Sequence, residues 1–390
     1  MNEVHLQQIF TNYIDRFEEF NSEDPQKPSE YYKWTMPKPF KESMDKALNA
    51  KNKDDFNAQM SEIGKVTRDF IDSRKTMPFA GLVKLANDYE EWENVQKLFQ
   101  ELYEEDNGDL ETRQGKIESF LEQAYQLKEK HNLSDLYKSD FRSATVYLFL
   151  YDPDHNYIYK PTHAQDFQDC IEFYDDFGEG NHVRLKTYYR MCDQLVEAIK
   201  KNPEIQETKQ MRLPKFKDTK NVYEDKEQHI LAYDIIYCCS AYDLFRGITF
   251  KRLTPKERQI MWEKQQEAKR LFEELKAAQE KQKTLDTAMN ELEEWFCVGK
   301  AIAYKGFGKD TPVENGVITK RNKGSITVEF DGGTERCLGL FDSIVNGYIH
   351  PKEIENNALA GVVEILKNKS SIEISLSNAE RNFAPYSDYL

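Results

Sequence analysis

The chain has 390 residues, more than one ordinary hydrophobic core accommodates, and this length indicates two or three domains. An aromatic share of 13% argues against a disordered chain, and a net charge of −15 argues against a surface that attracts polyanions everywhere. No apolar run approaches the roughly 20 residues of a membrane helix, and the acidic, amphipathic N-terminal stretch does not resemble a signal peptide. We therefore expect a cytoplasmic protein without membrane contact.

The cysteines do not form a metal-binding or disulfide pattern. None of them makes a CxxC pair, and two are adjacent in the chain. We expect free, buried thiols in a reducing compartment at Cys170, Cys192, Cys238, Cys239, Cys297 and Cys337.

The first 250 residues show mainly helical periodicity. Apolar residues at three- and four-residue steps predict helices over 3–20, 42–50, 54–73, 79–88, 90–104 and 110–131. The run 144–151 is apolar on every side, and its length allows a buried strand or a buried helix. We favour the helix because the surrounding pattern is helical.

Further helices are predicted at 166–176 and 182–201. The polar, basic stretch 206–220 then predicts a linker or an exposed arm, and 229–245 predicts a last core helix.

A long helix without Gly or Pro is predicted over 255–296, with Thr254 as its N-cap and Pro255 in its first turn. Three- and four-residue steps form a coiled-coil seam, interrupted by one glutamine. The alternative is a long helix packed against its own domain. The seam residues are Ala268, Leu271, Leu275, Ala278, Gln282, Leu285, Met289, Leu292 and Phe296.

Beyond residue 297 the hydrophobic period changes to two residues. Four or five short strands with glycine-rich turns predict a small SH3-like barrel over 297–350. One helix (358–367) and a Ser/Asn-rich end follow. The expected fold class is α+β multidomain: an all-α domain (1–250), a coiled-coil helix (253–296), an SH3/Tudor-like β-barrel (297–350) and a C-terminal tail (351–390).

No stretch carries a recognisable catalytic motif. The segment 306–311 departs from the GxxxxGK[ST] phosphate-binding pattern at two positions and lies between strands. Asp152, Asp154 and His155 could ligate a metal, but such a turn more often caps the segment that follows. We predict no catalytic residue, metal or cofactor, although an enzyme whose site is assembled from distant residues stays open.

Two basic patches are candidate nucleic-acid contacts, because cations beside aromatic rings suit phosphate contact and stacking. The alternative is a solvated helix face with an ordinary charged hairpin. The candidates are Arg184, Lys186, Tyr188, Arg190, Lys209, Arg212, Lys215 and Lys217, with Lys320, Arg321 and Lys323 in the predicted barrel.

The stretch 142–189 with its flanks, about residues 30 to 240, resembles the helical N-terminal accessory region of McrB-type, GTP-dependent restriction proteins. The matching pieces, in order, are Tyr32-Lys33-Trp34, Arg142-Ser143-Ala144-Thr145-Val146-Tyr147-Leu148, Tyr157-Ile158-Tyr159-Lys160, Tyr188-Tyr189-Arg190-Met191-Cys192-Asp193 and His229-Ile230-Leu231-Ala232-Tyr233-Asp234-Ile235-Ile236-Tyr237. The GTPase motor expected after this region is absent, so GTP hydrolysis is not implied.

The predicted barrel is similar to the Tudor/SH3-like domain that closes UvrD-type helicases, through Gly306-Phe307-Gly308, Gly316-Val317-Ile318 and Val328-Glu329-Phe330-Asp331-Gly332-Gly333. Such barrels bind protein or nucleic acid.

Together the resemblances imply a non-catalytic DNA- or partner-recognition subunit, an adaptor, of a prokaryotic restriction-like antiviral defence system. The expected partners are duplex DNA, a motor or nuclease subunit, and a second copy bound through 268–296. The alternatives are a protein-interaction scaffold without nucleic-acid contact, and a nuclease-like enzyme.

Overall fold

A computed structural model describes residues 1–22, 29–67, 70–73, 75–216, 219–306 and 311–390. The protein is α+β: it is mainly helical, with a small antiparallel sheet near its C-terminal end. The chain divides into two compact units, Met1–Ile260 and Met261–Leu390. In the described residues no helix is both long and apolar enough to cross a membrane.

The first unit is built from helices around one aromatic-rich core. They are α1 (Glu3–Asp15), α2 (Phe17–Phe20), α3 (Tyr32–Thr35), α4 (Pro37–Leu48), α5 (Lys53–Thr67), α6 (Pro78–Asp88), α7 (Trp92–Leu102), α8 (Leu110–Lys130), α9 (Phe141–Tyr151), α10 (Pro161–Cys170), α11 (Leu185–Lys201), α12 (Pro203–Arg212) and α13 (His229–Ala241). Short 3₁₀ turns occupy Asp135–Tyr137, Pro153–His155 and Leu213–Lys215.

The predicted buried helix is confirmed as α9. Asp140 and Ser143 form a capping box at its start, each side chain bonded to the other's backbone N–H. The helix ends before Pro153, whose missing N–H and ring prevent continuation. Its Tyr147 ring contacts the ring of Phe99 at 5.3 Å, and nearly all of its side chains are buried, which explains why its sequence lacks a polar face.

Two predictions for the first unit were wrong. The helix expected at 166–176 is α10, which begins at Pro161 and ends at Cys170, and Glu172 then takes a left-handed conformation (φ 56°) that stops the helix. The stretch 206–220, expected to be a linker or an exposed arm, instead begins within α12. Asn202 caps α12 by accepting a hydrogen bond from the Ile205 N–H, and Arg212 at its end is buried.

The second unit combines a sheet with flanking helices. The long α14 (Pro255–Trp295) begins in the first unit and continues into this one. It is followed by β1 (Ala301–Lys305), β2 (Val313–Asn322), β3 (Ser325–Phe330), β4 (Glu335–Gly339), α15 (Leu340–Val345), β5 (Ile349–Pro351), α16 (Asn356–Lys367) and α17 (Lys369–Phe383), with a 3₁₀ turn at Ala384–Tyr389.

The sheet is antiparallel with strand order β4-β3-β2-β1-β5. The predicted strands and the predicted helix near 358–367 are therefore present. The polar end after it, predicted as a tail, forms α17. The sequence did not predict this helix because its many serines and asparagines mask the helical periodicity. Residues 307–310, part of the predicted turn that begins at Gly306, lie outside the described residues.

The predicted long helix is confirmed, and its apolar seam is covered within one chain. Leu285, Leu292 and Phe296 belong to the same core as the sheet residue Ile302 and the α16 residue Val362. The more N-terminal seam residues Ala268, Leu271, Leu275 and Ala278 are buried as well. Pairing two chains through 268–296 would therefore require this seam to be uncovered first.

The cysteines are free. Cys170, Cys192, Cys238 and Cys239 are buried as expected, whereas Cys337 on β4 is exposed. An exposed thiol on an edge strand was not predicted, because a two-residue period does not tell the two sheet faces apart.

Leu292→Ala tests whether the seam belongs to an intrachain core. Leu292 is 4% exposed, so the loss of its side chain should lower the free energy of unfolding by about 2–5 kcal/mol. The exposed strand residue Val317, changed to Ala, is a matched control with an expected effect within about 0.5 kcal/mol. Urea titrations at low and high protein concentration provide the measurement. An unfolding midpoint that moves with protein concentration would contradict an intrachain seam.

Candidate functional site

The centre of the first unit contains a buried group of charges. The short helix α3 places Lys33 against Asp234 of α13, with their charged atoms 2.5 Å apart and both side chains without solvent exposure. Glu30, immediately before α3, completes the group with an Oε2 atom 2.9 Å from the Lys33 amine. Two carboxylates therefore hold one buried ammonium.

Aromatic rings and hydroxyls surround these charges. The Lys33 Nζ lies 4.0 Å from the centroid of the Tyr237 ring, a cation–π contact. The Tyr13 hydroxyl donates to the Asp234 Oδ2 (2.5 Å), and the Tyr242 hydroxyl donates to the Glu30 Oε1 (2.5 Å). These bonds compensate for the loss of water around the two carboxylates.

The pKa of Lys33 is raised well above its ordinary value. Burial on its own lowers it, but the nearby charge of Asp234 and then that of Glu30 outweigh burial. The lysine is therefore held as a cation, which suits a structural ion pair and does not suit a nucleophile or a general base.

Arg212 connects this buried group to a cavity. Its Nη2 donates to the Tyr13 hydroxyl (3.0 Å) and to the Thr208 hydroxyl (2.9 Å). Its guanidinium lies 4.2 Å from the centroid of the Trp34 ring. No hydrogen-bond partner for its Nε occurs in the described parts of the chain.

The cavity lies between α3, α12, α13 and the segment before α13, and its volume is about 310 Å³. The Tyr223 N–H donates to the Trp34 carbonyl (2.7 Å) and holds that segment over α3. The cavity's lining is partly aromatic and partly charged: Trp34, Gln206, Lys209, Arg212, Leu213, Phe216, Thr219, Val222, Tyr223, Glu224, Asp225, Lys226, Gln228 and Leu231.

Asp225 organises the rim of the cavity. Its carboxylate accepts hydrogen bonds from the N–H groups of Ile230 and Leu231 at 3.0 Å each, at the start of α13. Burial raises the pKa of Asp225 to about 6, although these two hydrogen bonds act in the opposite direction. Both Asp225 (φ 52°) and Gln228 (φ 66°) take left-handed conformations, so the rim is a tight turn fixed by α13.

The first predicted basic patch is largely neutralised by acids. Arg184 pairs with Asp176, Arg190 pairs with Asp175 at 2.9 Å, and Lys186 lies 3.8 Å from Glu111. Ion pairs of this kind reduce the local positive field that phosphate contact requires.

Tyr188, predicted beside those cations, is 1% exposed. Its hydroxyl donates to the Ile158 carbonyl (2.6 Å), and its ring packs against Tyr159 at 5.2 Å. The ring is therefore part of the core and has no free face for base stacking.

The predicted basic arm is partly helical, and its cations have different environments. Lys209 is exposed on α12 and Arg212 is buried, and both line the cavity. Lys215 pairs with Glu18, and Lys217 lies outside the described residues. The structure thus brings together Lys209 and Arg212, with Lys226 as a third cation that sequence reasoning missed.

The candidates of the second unit have different environments. Lys320 and Lys323 are exposed on the hairpin of β2 and β3. Arg321 donates to the Glu293 carbonyl (3.0 Å) and the Phe296 carbonyl (2.9 Å) at the C-terminal end of α14. Because those carbonyls lack helical partners, Arg321 caps the long helix.

The residues considered as metal ligands are engaged in hydrogen bonds. His155 Nδ1 lies 2.8 Å from the Asp152 Oδ2, and Asp154 accepts from the Tyr223 hydroxyl (2.8 Å). Within the described ranges no group of three or more His, Cys, Asp or Glu residues could hold a metal ion.

The buried charges could have been found from the sequence. Asp234 is the one acid inside the otherwise apolar stretch 229–239, and Lys33 is flanked by two aromatic residues. A charge in such a setting must be paired when it is buried. Which residue pairs with it cannot be deduced, because the two lie 201 positions apart.

Lys33→Met tests the importance of the buried pair. Two uncompensated carboxylates would remain, so the free energy of unfolding should fall by about 3–5 kcal/mol in chemical denaturation. Lys53→Met, which removes the surface pair with Glu90, is the control and should cost less than about 1 kcal/mol. Adding Asp234→Asn to Lys33→Met should recover part of the loss, and no recovery would argue against the pairing.

Asp225→Asn tests the raised pKa at the cavity rim. The folded-state pKa lies above the unfolded value, so the folded state binds this proton more tightly, and the contribution of Asp225 to stability falls as the pH rises from about 4 to about 7. Relative to the variant, the free energy of unfolding of the wild-type protein should fall by on the order of 2 kcal/mol across that window, as measured by urea titrations.

Asp106→Asn is the control of opposite sign. A hydrogen bond from Arg113 lowers the pKa of Asp106, so its stabilising contribution is lost as the pH falls. If the difference in free energy of unfolding between wild type and variant changed with pH in the same direction for both variants, the assignment at Asp225 would be contradicted.

A comparison with known proteins finds no family model, no curated protein and no solved structure that matches this chain.

Proposed function

We propose that this protein is a non-catalytic recognition subunit, an adaptor, whose helical unit binds a nucleotide in the cavity beside Trp34. The nucleotide is free or belongs to an accessible part of a nucleic acid. One observation carries the proposal: Lys209 and Arg212, two residues of the predicted basic arm, line the same cavity as the Trp34 and Phe216 rings.

The charges of the cavity favour an anionic ligand. Lys226 lies 3.4 Å from Glu224, so that pair is close to neutral. Lys209 and Arg212 then carry positive charge, opposed by Asp225, whose raised pKa near 6 lets it take up a proton in mildly acidic solution. Phosphate is the natural counterpart for a lysine next to an arginine whose Nε has no partner among the described residues.

The size and the rings of the cavity favour a planar group. Its volume of about 310 Å³ is at the lower end of ligand sites, about 300–1,000 Å³. It holds one nucleotide but no duplex. A base stacks on aromatic rings, and the amides of Gln206 and Gln228, hydrogen-bonded to each other at 2.7 and 2.9 Å, offer donors and acceptors at the wall.

The second unit is proposed as the docking module of the adaptor. The strand order β4-β3-β2-β1-β5, with a short helix before β5, supports an SH3/Tudor-like barrel. Val313 and Val317 on β2 are 58% and 46% exposed, which suits a protein partner such as a motor or a nuclease. In this proposal α14 acts as the spacer, and self-pairing as a coiled coil is its less favoured role.

The context of a prokaryotic restriction-like defence system rests on the resemblance of about residues 30 to 240 to McrB-type accessory regions. The duplex-DNA version of the proposal is less favoured, because the cations at Arg184, Lys186 and Arg190 have acidic neighbours.

The double variant Lys209→Glu/Lys226→Glu tests the cavity. Fluorescence anisotropy with a labelled single strand, a labelled duplex and a labelled nucleoside triphosphate should show binding that weakens with salt and falls about tenfold or more in the variant. The reason is that Lys209 loses its positive charge, while Lys226, which is paired with Glu224, becomes a further negative charge at the cavity.

Lys201→Glu/Lys256→Glu is the matched control, since both lysines are exposed and neither lines the cavity. It changes the net charge equally and should bind nearly as the wild type does. Equal loss in both double variants would indicate a general charge effect. Absence of binding to all three probes at low salt would remove the nucleotide proposal and favour a protein-interaction scaffold.

A further inference from the structure

A second group of polar side chains converges on the Tyr237 ring, outside the cavity. Lys160 follows the strand-like segment before α10, and its Nζ lies 4.8 Å from the centroid of Tyr237 and 5.7 Å from that of Tyr233. The imidazole of His163, one turn into α10, lies 4.8 Å from the same Tyr237 ring. The segment before α10, α10 itself and α13 thus all contribute side chains around the Tyr237 ring.

Lys160 is the unbalanced charge of this region. Lys33 is matched by Glu30 and Asp234, and Arg212 reaches Asp234 through the Tyr13 hydroxyl. Both carboxylates of this group are therefore engaged with Lys33. No hydrogen bond or ion pair joins the Lys160 amine to any residue of the described chain.

Two further polar atoms nearby lack partners among the described residues. They are the Nδ1 of His163 and the hydroxyl of Tyr233, both buried. Buried polar atoms in folded proteins nearly always have a partner, and each exception calls for an explanation. Tyr233 has its ring centroid 5.7 Å from the Lys160 Nζ, and the His163 ring lies against the same Tyr237 ring as that amine. Two such atoms on these residues indicate a place that receives hydrogen-bonding oxygens.

The side chains of this group differ in burial. Tyr233 is 2% exposed and Lys33 is fully buried. Lys160, His163 and Tyr237 are only half-buried. The amine of Lys160 therefore belongs to a partly exposed residue beside a buried centre.

We propose that Lys160, His163 and Tyr233 form a binding site for a small oxyanion, namely a carboxylate or a phosphate group. The Lys160 ammonium and the Tyr233 hydroxyl donate to the anion's oxygens, and the Nδ1 of His163 donates when it carries the ring proton. None of the three lines the cavity at Trp34, so the site does not rest on the proposed nucleotide binding.

Binding at this site is coupled to a proton. Burial lowers the pKa of Lys160 to about 7, and the charges of Lys33 and Arg142 lower it further while Glu30 opposes them. Burial also lowers the pKa of His163 to about 4, so its ring is neutral near pH 7. The anion needs the ammonium form, so its binding takes up a proton and weakens as the pH rises above about 7.

Isothermal titration calorimetry of the full chain with acetate and, separately, with inorganic phosphate tests the proposal. The wild-type protein should bind at least one of them, with proton uptake at pH 7.5 visible as a heat that depends on the buffer's ionisation enthalpy. Lys160→Met should weaken binding about tenfold or more, because a charge-assisted hydrogen bond is lost.

Lys138→Met is the matched control, because Lys138 is an exposed lysine whose amine lies 5.5 Å from the Tyr125 ring. It should bind as the wild type does. The double variant Lys209→Glu/Lys226→Glu should also keep anion binding, so failure of the nucleotide proposal and failure of this one are distinguishable. Acetate binding alone would assign a carboxylate ligand, and phosphate binding alone would assign a phosphate.

Loss of the fold does not explain the expected result. The lowered pKa means that protonated Lys160 destabilises the folded state, so Lys160→Met should be at least as stable as the wild type at pH 7, and its advantage should shrink as the pH rises towards 10. Tyr233→Phe, which removes only the unpartnered hydroxyl, is the second variant and should weaken binding severalfold. Equal affinity of wild type and Lys160→Met, or no binding of either anion, overturns the site.

Discussion

The first unit depends on the burial of one ammonium between two carboxylates. Lys33 has no solvent exposure, and removing charges from water costs several kcal/mol per ion unless partners are close. Asp234 and Glu30 supply those partners, and the hydroxyls of Tyr13 and Tyr242 complete their hydrogen bonds. The partners come from α1, the residues before α3, and α13 and its end, so the charge cluster specifies how distant parts of the chain pack together.

Two groups of side chains border this cluster and differ in chemistry. Arg212 extends the cluster towards the Trp34 cavity, where aromatic rings and cations coexist in about 310 Å³. Tyr237 extends it towards Lys160, whose amine has no carboxylate partner within the described ranges.

In the second unit, the main structural requirement is that the apolar side of the long helix α14 be covered. An isolated apolar seam of this length would pair with another chain. Here Leu285 and Leu292 lie in a core with the sheet, and Arg321 on β2 supplies donors to the last carbonyls of α14. The two partially hydrophobic surfaces, one of the helix and one of the sheet, thereby cover each other within one chain.

The sequence by itself determined the helical nature of the first 250 residues, α9 as a buried helix, the long α14 and the strands after it, because these follow from local hydrophobic period and capping. It did not determine which faces meet. Tyr188 and Arg212 carry the chemistry of surface contacts, yet both are buried, and the expected arm became α12 because Ile205 and Arg212 had partners on remote helices. The pairing of Lys33 with Asp234 and the isolation of Lys160 arise only when residues far apart in the chain are brought into contact, and no local pattern encodes those distances.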